Sequence, residues 1–255
     1  MIIKEDDNMK YVGSKNRLAK ELAPIIQSYI TDETKGYLEP FVGGANMIDK
    51  IKCENKFGCD IHEELIELLK YVQNLDNVLP QNITEDEYYK VKSNKENYEK
   101  WYVGLVGFCA TFGAKYFGGY ARSFKADGIT PRDHSSEGIR NIEKQRKNLQ
   151  GIKFNCCSYE KINQNLKKYV IYCDIPYKGT LKYTTDFDYE KFYEWCKKMS
   201  KNNTVLISEY YMPDDFECIW EKKTNVRIDS NKKSGDAKRE RIERLFIYKG
   251  DGDNE

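Results

Sequence analysis

The residues with the clearest chemical potential are Asp174-Ile175-Pro176-Tyr177, which directly follow the apolar run Tyr169 to Cys173. A run with no polar side is expected of a strand buried on both faces. A carboxylate at the carboxyl end of such a strand stands where ligands bind in open α/β sheets. The next residues supply a rigid turn and an aromatic ring. This set suits methylation of an aromatic amine, whose lone pair is delocalised into its ring and is a poor nucleophile. Two acceptors on the amine hydrogens, a side-chain carboxylate and a backbone carbonyl, bring the nitrogen towards a tetrahedral form and free the lone pair. A tyrosine face holds the base by stacking, worth about 1–3 kcal/mol per base. Standing alone, the tetrapeptide reads as an ordinary Asp-Pro loop.

Two further segments have the spacing of a nucleotide site. In Glu39-Pro40-Phe41-Val42-Gly43-Gly44-Ala45-Asn46, glycines follow a strand and open a helix. Such a turn lets a ligand approach the backbone beside the positive helix end. Alone it is equally a common structural connection, and it lacks the G-x-G-x-x-G of a classical nicotinamide or flavin site. Asp60 closes the next strand, at close to the ~20-residue spacing from the first glycine at which an acid binds a ribose hydroxyl. It also reads as the N-cap of a helix from Glu63, and both roles can hold together.

The elements that must position these residues alternate. Ser14 caps a helix to about Tyr29, with Leu18, Leu22 and Ile25 at helical spacing. A strand covers 36–41, and a helix follows the glycines through Ala45, Met47, Ile48 and Ile51. Lys56 to Ile61 is a second strand and Glu63 to Val72 a helix. This order predicts a parallel sheet with crossover helices. From about Asn74 to Gly151 the chain turns polar and rich in tyrosine and glycine, with a Thr84/Glu87 capping box and a helix over 138–149. Strands resume at Ile152 to Cys156, Tyr169 to Asp174 and Thr204 to Ser208, with a helix over 189–199 between the last two. Glu217 to Trp220 and Leu245 to Tyr248 form an edge pair, joined by a charged loop from Asp229 to Arg244. The predicted organisation is a catalytic domain over 1–73 and 152–255, with 74–151 inserted. The tail from Gly250 is expected to be disordered.

Composition narrows the classes. The 255 residues are long enough to bury a core without disulfide or metal staples. With 42 basic against 41 acidic side chains, the protein is not uniformly basic, but a local basic face remains open. The uncharged stretch Trp101 to Ala114 is shorter than the roughly 20 residues that cross a bilayer, and 1–7 have no apolar signal-peptide core. These features predict no membrane association. The 8 cysteines form no CxxC pair and there are 2 histidines, which argues against a zinc site. Reduced thiols in a cytoplasmic compartment are the simplest reading.

The three chemical segments occur together and in order, and the chain resembles the Dam family of adenine-specific DNA methyltransferases. Lys10 to Lys15 resembles that family's N-terminal motif, Glu39 to Asn46 its cofactor turn, and Cys59-Asp60-Ile61 its ribose-binding strand end. Cys157-Ser158-Tyr159 is similar to the segment before its catalytic strand, and Asp174 to Tyr177 matches its Asp-Pro-Pro-Tyr motif with one change. The resemblance spans nearly the whole chain. It implies a Rossmann-like α/β sheet with helices on both faces and a mainly helical target-recognition insert. It implies S-adenosylmethionine as donor, leaving S-adenosylhomocysteine, with no metal. The acceptor it implies is the amino group of an adenine flipped out of duplex DNA; flipping is required because the amine is unreachable within the stack. By resemblance, Tyr11 and Lys15 flank the cofactor and active site, and Phe41 and Gly43 pack along its methionine part. Asp60 binds the ribose, while Glu39 and Ser158 join the cofactor set. Asp174 touches both cofactor and amine, and Tyr177 stacks on the adenine.

The departure is Ile175, where the family has proline. Isoleucine keeps the backbone carbonyl but loses the fixed φ. Pro176 and β-branching still restrict it, so retained activity is expected. Target recognition falls in the insert, where Lys115, Arg122 and Lys125 interleave with Tyr116, Phe117 and Tyr120. Cations neutralise phosphates and arginine also reads guanine. Arg140 leads a second basic run to Lys147, and 232–244 carries a further basic excess, which reads equally as a solvated face. A monomer in solution is expected. The other readings are a same-fold methyltransferase acting on RNA or a protein amide, and an impaired homologue that only binds DNA.

Overall fold

The run from Tyr169 to Cys173 leaves no side for water, and it forms the interior strand β4 (Tyr169–Asp174), with Val170, Ile171, Tyr172 and Cys173 all buried. The computed structural model describes residues 8–125, 127–177, 187–226 and 239–250. The other strands are β1 (Gly36–Glu39), β2 (Lys56–Asp60), β3 (Ile152–Cys156), β5 (Thr204–Glu209), β6 (Phe216–Val226) and β7 (Arg239–Tyr248). They form one seven-stranded sheet in the order β3-β2-β1-β4-β5-β7-β6. β2 runs parallel to β3, and β4 parallel to β5. β7 is antiparallel to both β5 and β6. The fold is α/β, as the alternation of elements predicts, but the sheet is mixed and not wholly parallel, because β7 runs antiparallel to both of its neighbours.

The helices are α1 (Ala19–Ser28), α2 (Glu63–Gln73), α3 (Glu85–Ser93), α4 (Lys100–Cys109), α5 (His134–Gln145) and α6 (Tyr189–Ser200). No helix among the described residues is long and apolar enough to cross a membrane. The chain divides into two compact units, Met1–Ser28 with Leu38–Ile162, and Tyr29–Tyr37 with Asn163–Glu255. Residues 74–151 lie wholly within the first unit.

In the first unit α2 buries Leu65, Ile66, Leu68, Leu69 and Val72, the apolar stripe of an amphipathic helix. It packs against α4, which the glycine-rich composition had concealed. A Cβ on Gly104 would lie 2.2 Å from the carbonyl oxygen of Glu64, so glycine here permits backbone-to-backbone approach and is not a loop signal. In the second unit α6 buries Phe192, Tyr193, Trp195, Cys196 and Met199.

Several expected boundaries shift. Ser14 caps a short 3₁₀ turn (Lys15–Arg17), and the α-helix starts only at Ala19. The helix expected after the glycines is a single 3₁₀ turn, Ile48–Lys50. At Thr84 half of the capping box forms: its hydroxyl accepts from Glu87 N at 3.2 Å, while the Glu87 carboxylate takes the Tyr102 hydroxyl. The edge pair is longer than expected, because Arg239 to Arg244 belong to β7 and not to a loop. Residues 229–238 of the expected charged loop, most of the basic segment 232–244, the tail 251–255 and the opening 1–7 lie outside the described residues.

Candidate active site

A donor-side cluster assembles in the first unit around the glycine turn. Gly43 has φ 48° and Ala45 φ 56°, left-handed values that disfavour a non-glycine residue by roughly 1–2 kcal/mol. The space where a Gly43 Cβ would stand is taken by the Tyr11 ring, 2.9 Å away. The glycine therefore serves packing of the N-terminal motif as well as any ligand. Asn46 ties the same two segments, its amide donating to Met9 O at 2.9 Å and to Ser14 Oγ at 2.8 Å. Lys15 is buried and its Nζ lies 3.4 Å from Gly13 O. Glu39, at the end of β1, is buried. Phe41 lies 5.6 Å from Tyr159, centroid to centroid.

Asp60 ends β2 and accepts two backbone hydrogens, from Gly43 N at 3.1 Å and His62 N at 3.0 Å. It thus fixes the glycine turn and holds the backbone that enters α2, but it is not the expected N-cap: that position is His62, with no side-chain cap bond. Burial pushes its carboxyl above the ordinary range, against the opposing effect of those two N–H groups. Beside it, Cys157 N donates to Asp60 O at 3.0 Å, which brings the next residue, Ser158, to the same strand ends. Ser158 itself caps the turn Tyr159–Lys161. Tyr11, Phe41, Gly43, Asp60 and Ser158 therefore lie on connected segments. A carboxylate with spare lone pairs and the exposed side chain of Ile61, 66% accessible, next to it in sequence fit an adenosine with a free diol.

An acceptor-side cluster stands in the second unit at the end of β4. Asp174 is half-buried, whereas Ile175 and Tyr177 are buried. Tyr189 donates its hydroxyl to Pro176 O at 2.8 Å, which holds the turn. Tyr177 donates to Glu243 Oε2 at 3.0 Å, and its ring meets Tyr210 edge-on at 4.4 Å. Burial, then the charges of Asp174 and Glu243, push the Tyr177 phenol well up, so it stays protonated. A further carboxylate, Glu209, is 1% exposed at the end of β5. Burial and then this charge push the Tyr193 phenol up to about 12. An acid closing a buried strand was the signal for Glu209, the same signal that marks Asp60 and Asp174.

The expected DNA contacts divide. Lys115, Lys125 and Arg140 are exposed. Arg122 is exposed but paired with Glu85, its Nε 3.0 Å from Oε2. Tyr116 packs among His62 at 4.3 Å, Phe108 at 5.0 Å and Phe117 at 4.8 Å. Tyr120 donates to Ile83 O at 2.9 Å. Both rings are part of the fold. Arg146, in the basic run that ends α5, is buried and donates to Asn74 O at 2.6 Å and Asn77 O at 2.9 Å, so it pins a loop. Arg140 lines a polar cleft with Lys10, Arg132, Glu137, Asn141 and Lys144. Lys10 and Arg132, not singled out from sequence as DNA contacts, both pair with Glu137, at 3.4 and 2.7 Å. Phe124 and Ile129 stand 62% and 81% exposed, and Lys125 N donates to Thr130 O at 2.8 Å.

A family model described as D12 class N6 adenine-specific DNA methyltransferase matches residues 11–223. Among solved structures, the rRNA methyltransferase aviRa from Streptomyces viridochromogenes is 8% identical, covering 91% of this chain and 84% of that one, with a TM-score of 0.41. SMU.472 complexed with SAH is 11% identical, with a TM-score of 0.37; the match covers 97% of this chain but spans only 55% of that one. No curated protein sequence matches.

Proposed function

The chain belongs to the D12 class of N6 adenine-specific DNA methyltransferases, and from that premise we propose how its own residues carry the reaction. The activity is methylation of the exocyclic amino group of adenine in DNA. S-adenosylmethionine supplies, when bound, an electrophilic methyl group on a sulfonium.

On the donor side, Asp60 accepts from the ribose hydroxyls, which its unused lone pairs allow. The turn from Phe41 to Gly43, backed by the Tyr11 ring, lines the methionine portion, with Lys15, Glu39 and Ser158 around it. On the acceptor side, Asp174 and the Ile175 carbonyl accept the two amine hydrogens of a flipped adenine. Releasing the lone pair from the ring makes the nitrogen nucleophilic. Asp174 belongs to the cofactor set as well. Tyr177 stacks on the base, and its raised phenol keeps the ring neutral. Pro176, held by Tyr189, keeps the Ile175 carbonyl in place.

Duplex DNA is met by residues 74–151, with Lys115, Lys125 and Arg140 on phosphates. Tyr116 and Tyr120 shape that surface from within, and Arg122 lies on it, paired with Glu85. The catalytic assignment remains with 1–73 and 152–255. All 8 cysteines are free, in keeping with a reducing, cytoplasmic setting; a monomer in solution is part of the same proposal.

The observation that supports this reading most is the half-buried Asp174 that follows four buried residues of β4 and precedes a turn held by Tyr189. Tritium transfer from the donor to duplex DNA, RNA and protein tests it. Label in duplex DNA that disappears in Asp174→Ala is expected. Label confined to RNA or protein would overturn it.

A further inference from the structure

Gln145 is the last residue of α5 and is 1% exposed. Its side-chain nitrogen donates to Gly44 O and Ala45 O, each at 3.1 Å, and lies 3.3 Å from Asp49 Oδ2. Its oxygen accepts from Met9 N at 3.1 Å. One buried amide, 100 residues away from Ala45 in sequence, thus holds two successive carbonyls of the glycine turn and the start of the N-terminal motif.

Those carbonyls belong to a strained stretch. Ala45 keeps φ 56° although it is not glycine. Such a conformation persists only where surroundings over-determine it. Two donated hydrogens on consecutive carbonyls fix both peptide planes, and the turn then presents Gly43 N–H to Asp60 at 3.1 Å. Without that amide the two carbonyls would be buried with no donor, and the turn would relax towards an unstrained φ.

We propose that Gln145 is a positioning residue for methyl-donor binding: it holds the Gly43–Asn46 turn in the strained shape that the donor requires. The proposal rests on the reading of that turn as the S-adenosylmethionine site. It assigns residues of the insert's last helix to the donor side, in addition to DNA.

Calorimetry of S-adenosylmethionine with wild type, Gln145→Met, and the double variant Gln145→Met/Ala45→Gly tests this, with circular dichroism as a folding control. Gln145→Met is expected to fold and to weaken donor binding roughly tenfold to hundredfold. The donor KM should rise and the DNA KM should not. Ala45→Gly in that background should recover about fivefold or more, because glycine adopts positive φ without strain. Should Gln145→Met not fold, Gln145→Glu, which keeps the volume and the acceptor for Met9 N, is read the same way. Folded variants with wild-type donor affinity overturn the proposal, as does an equal loss in donor and DNA KM with no recovery by Ala45→Gly. A wild type that binds no donor overturns the donor-site reading and the proposal together; a binding wild type with indifferent variants overturns the proposal alone.

Discussion

Tyr177 donates its phenolic hydrogen to Oε2 of Glu243 at 3.0 Å, and Glu243 comes from β7. The ring assigned to the substrate base is thus held through its hydroxyl by the antiparallel end of the sheet. Tyr177→Phe keeps the ring and should change kcat/KM for duplex DNA little. Glu243→Ala leaves a buried hydroxyl without its acceptor and should lower stability by about 1–3 kcal/mol, read as a shifted denaturation midpoint. Tyr177→Ala removes the stacking face and should lower kcat/KM by about 1–3 kcal/mol. Equal kinetics for the phenylalanine and alanine variants would remove the stacking role.

Asp60 should give donor affinity a pH dependence. Its carboxyl is raised in the folded protein, with burial the main cause. The ionised form is the better acceptor for ribose hydroxyls. Affinity is therefore full above the raised pKa and falls as pH drops through it, beginning above the ordinary value of about 3.9. Calorimetric titration with S-adenosylhomocysteine across acidic pH checks this. Asp60→Ala should lose about 1.5–3 kcal/mol of binding and most of the pH dependence. A dependence that persists in the variant would place the titrating group elsewhere.

Ile175 tests the departure from Asp-Pro-Pro-Tyr. Ile175→Pro restores a fixed φ and should raise kcat by about two- to fivefold, a barrier lowered by about 0.4–1 kcal/mol. Because Ile175 is only 3% exposed, Ile175→Ala should cost about 2–5 kcal/mol of stability. An unchanged kcat in the proline variant would mean that burial already holds the carbonyl.

The basic residues expected to meet DNA were legible as charge but not as contact. Lys115, Lys125 and Arg140 are exposed as their basic runs suggested, while Arg146 is consumed by Asn74 O and Asn77 O, and Arg122 by Glu85. A sequence shows a charge and not whether a buried carbonyl claims it. The strands β3 and β4 and the helices α2 and α6 were readable because apolar runs and 3.6-residue stripes are local properties. α4 was not, because Gly104 and Gly107 signal a loop until the α2 backbone at Glu64 and the rings of Tyr116 and Phe117 show why they are small. The same limit hid Gln145, whose partners lie about a hundred residues away.

Charge removal should separate these roles. Lys125→Ala or Arg140→Ala should reduce the slope of log binding constant against log salt by about 0.9 for each phosphate that is no longer neutralised. Arg122→Ala should change it less. Arg146→Ala should instead lower the denaturation midpoint, since it leaves buried carbonyls unpaired. Equal slopes for all four variants would contradict the division.

Methylation of adenine in DNA by this chain is proposed to run through Asp174. Single-molecule sequencing of DNA from a methylation-free host expressing the wild type or Asp174→Ala tests it most directly. N6-methyladenine at one recurrent sequence in the wild type, and none in the variant, is the predicted result. Unmodified DNA from a host making folded wild type, or undiminished methylation with Asp174→Ala, would contradict it.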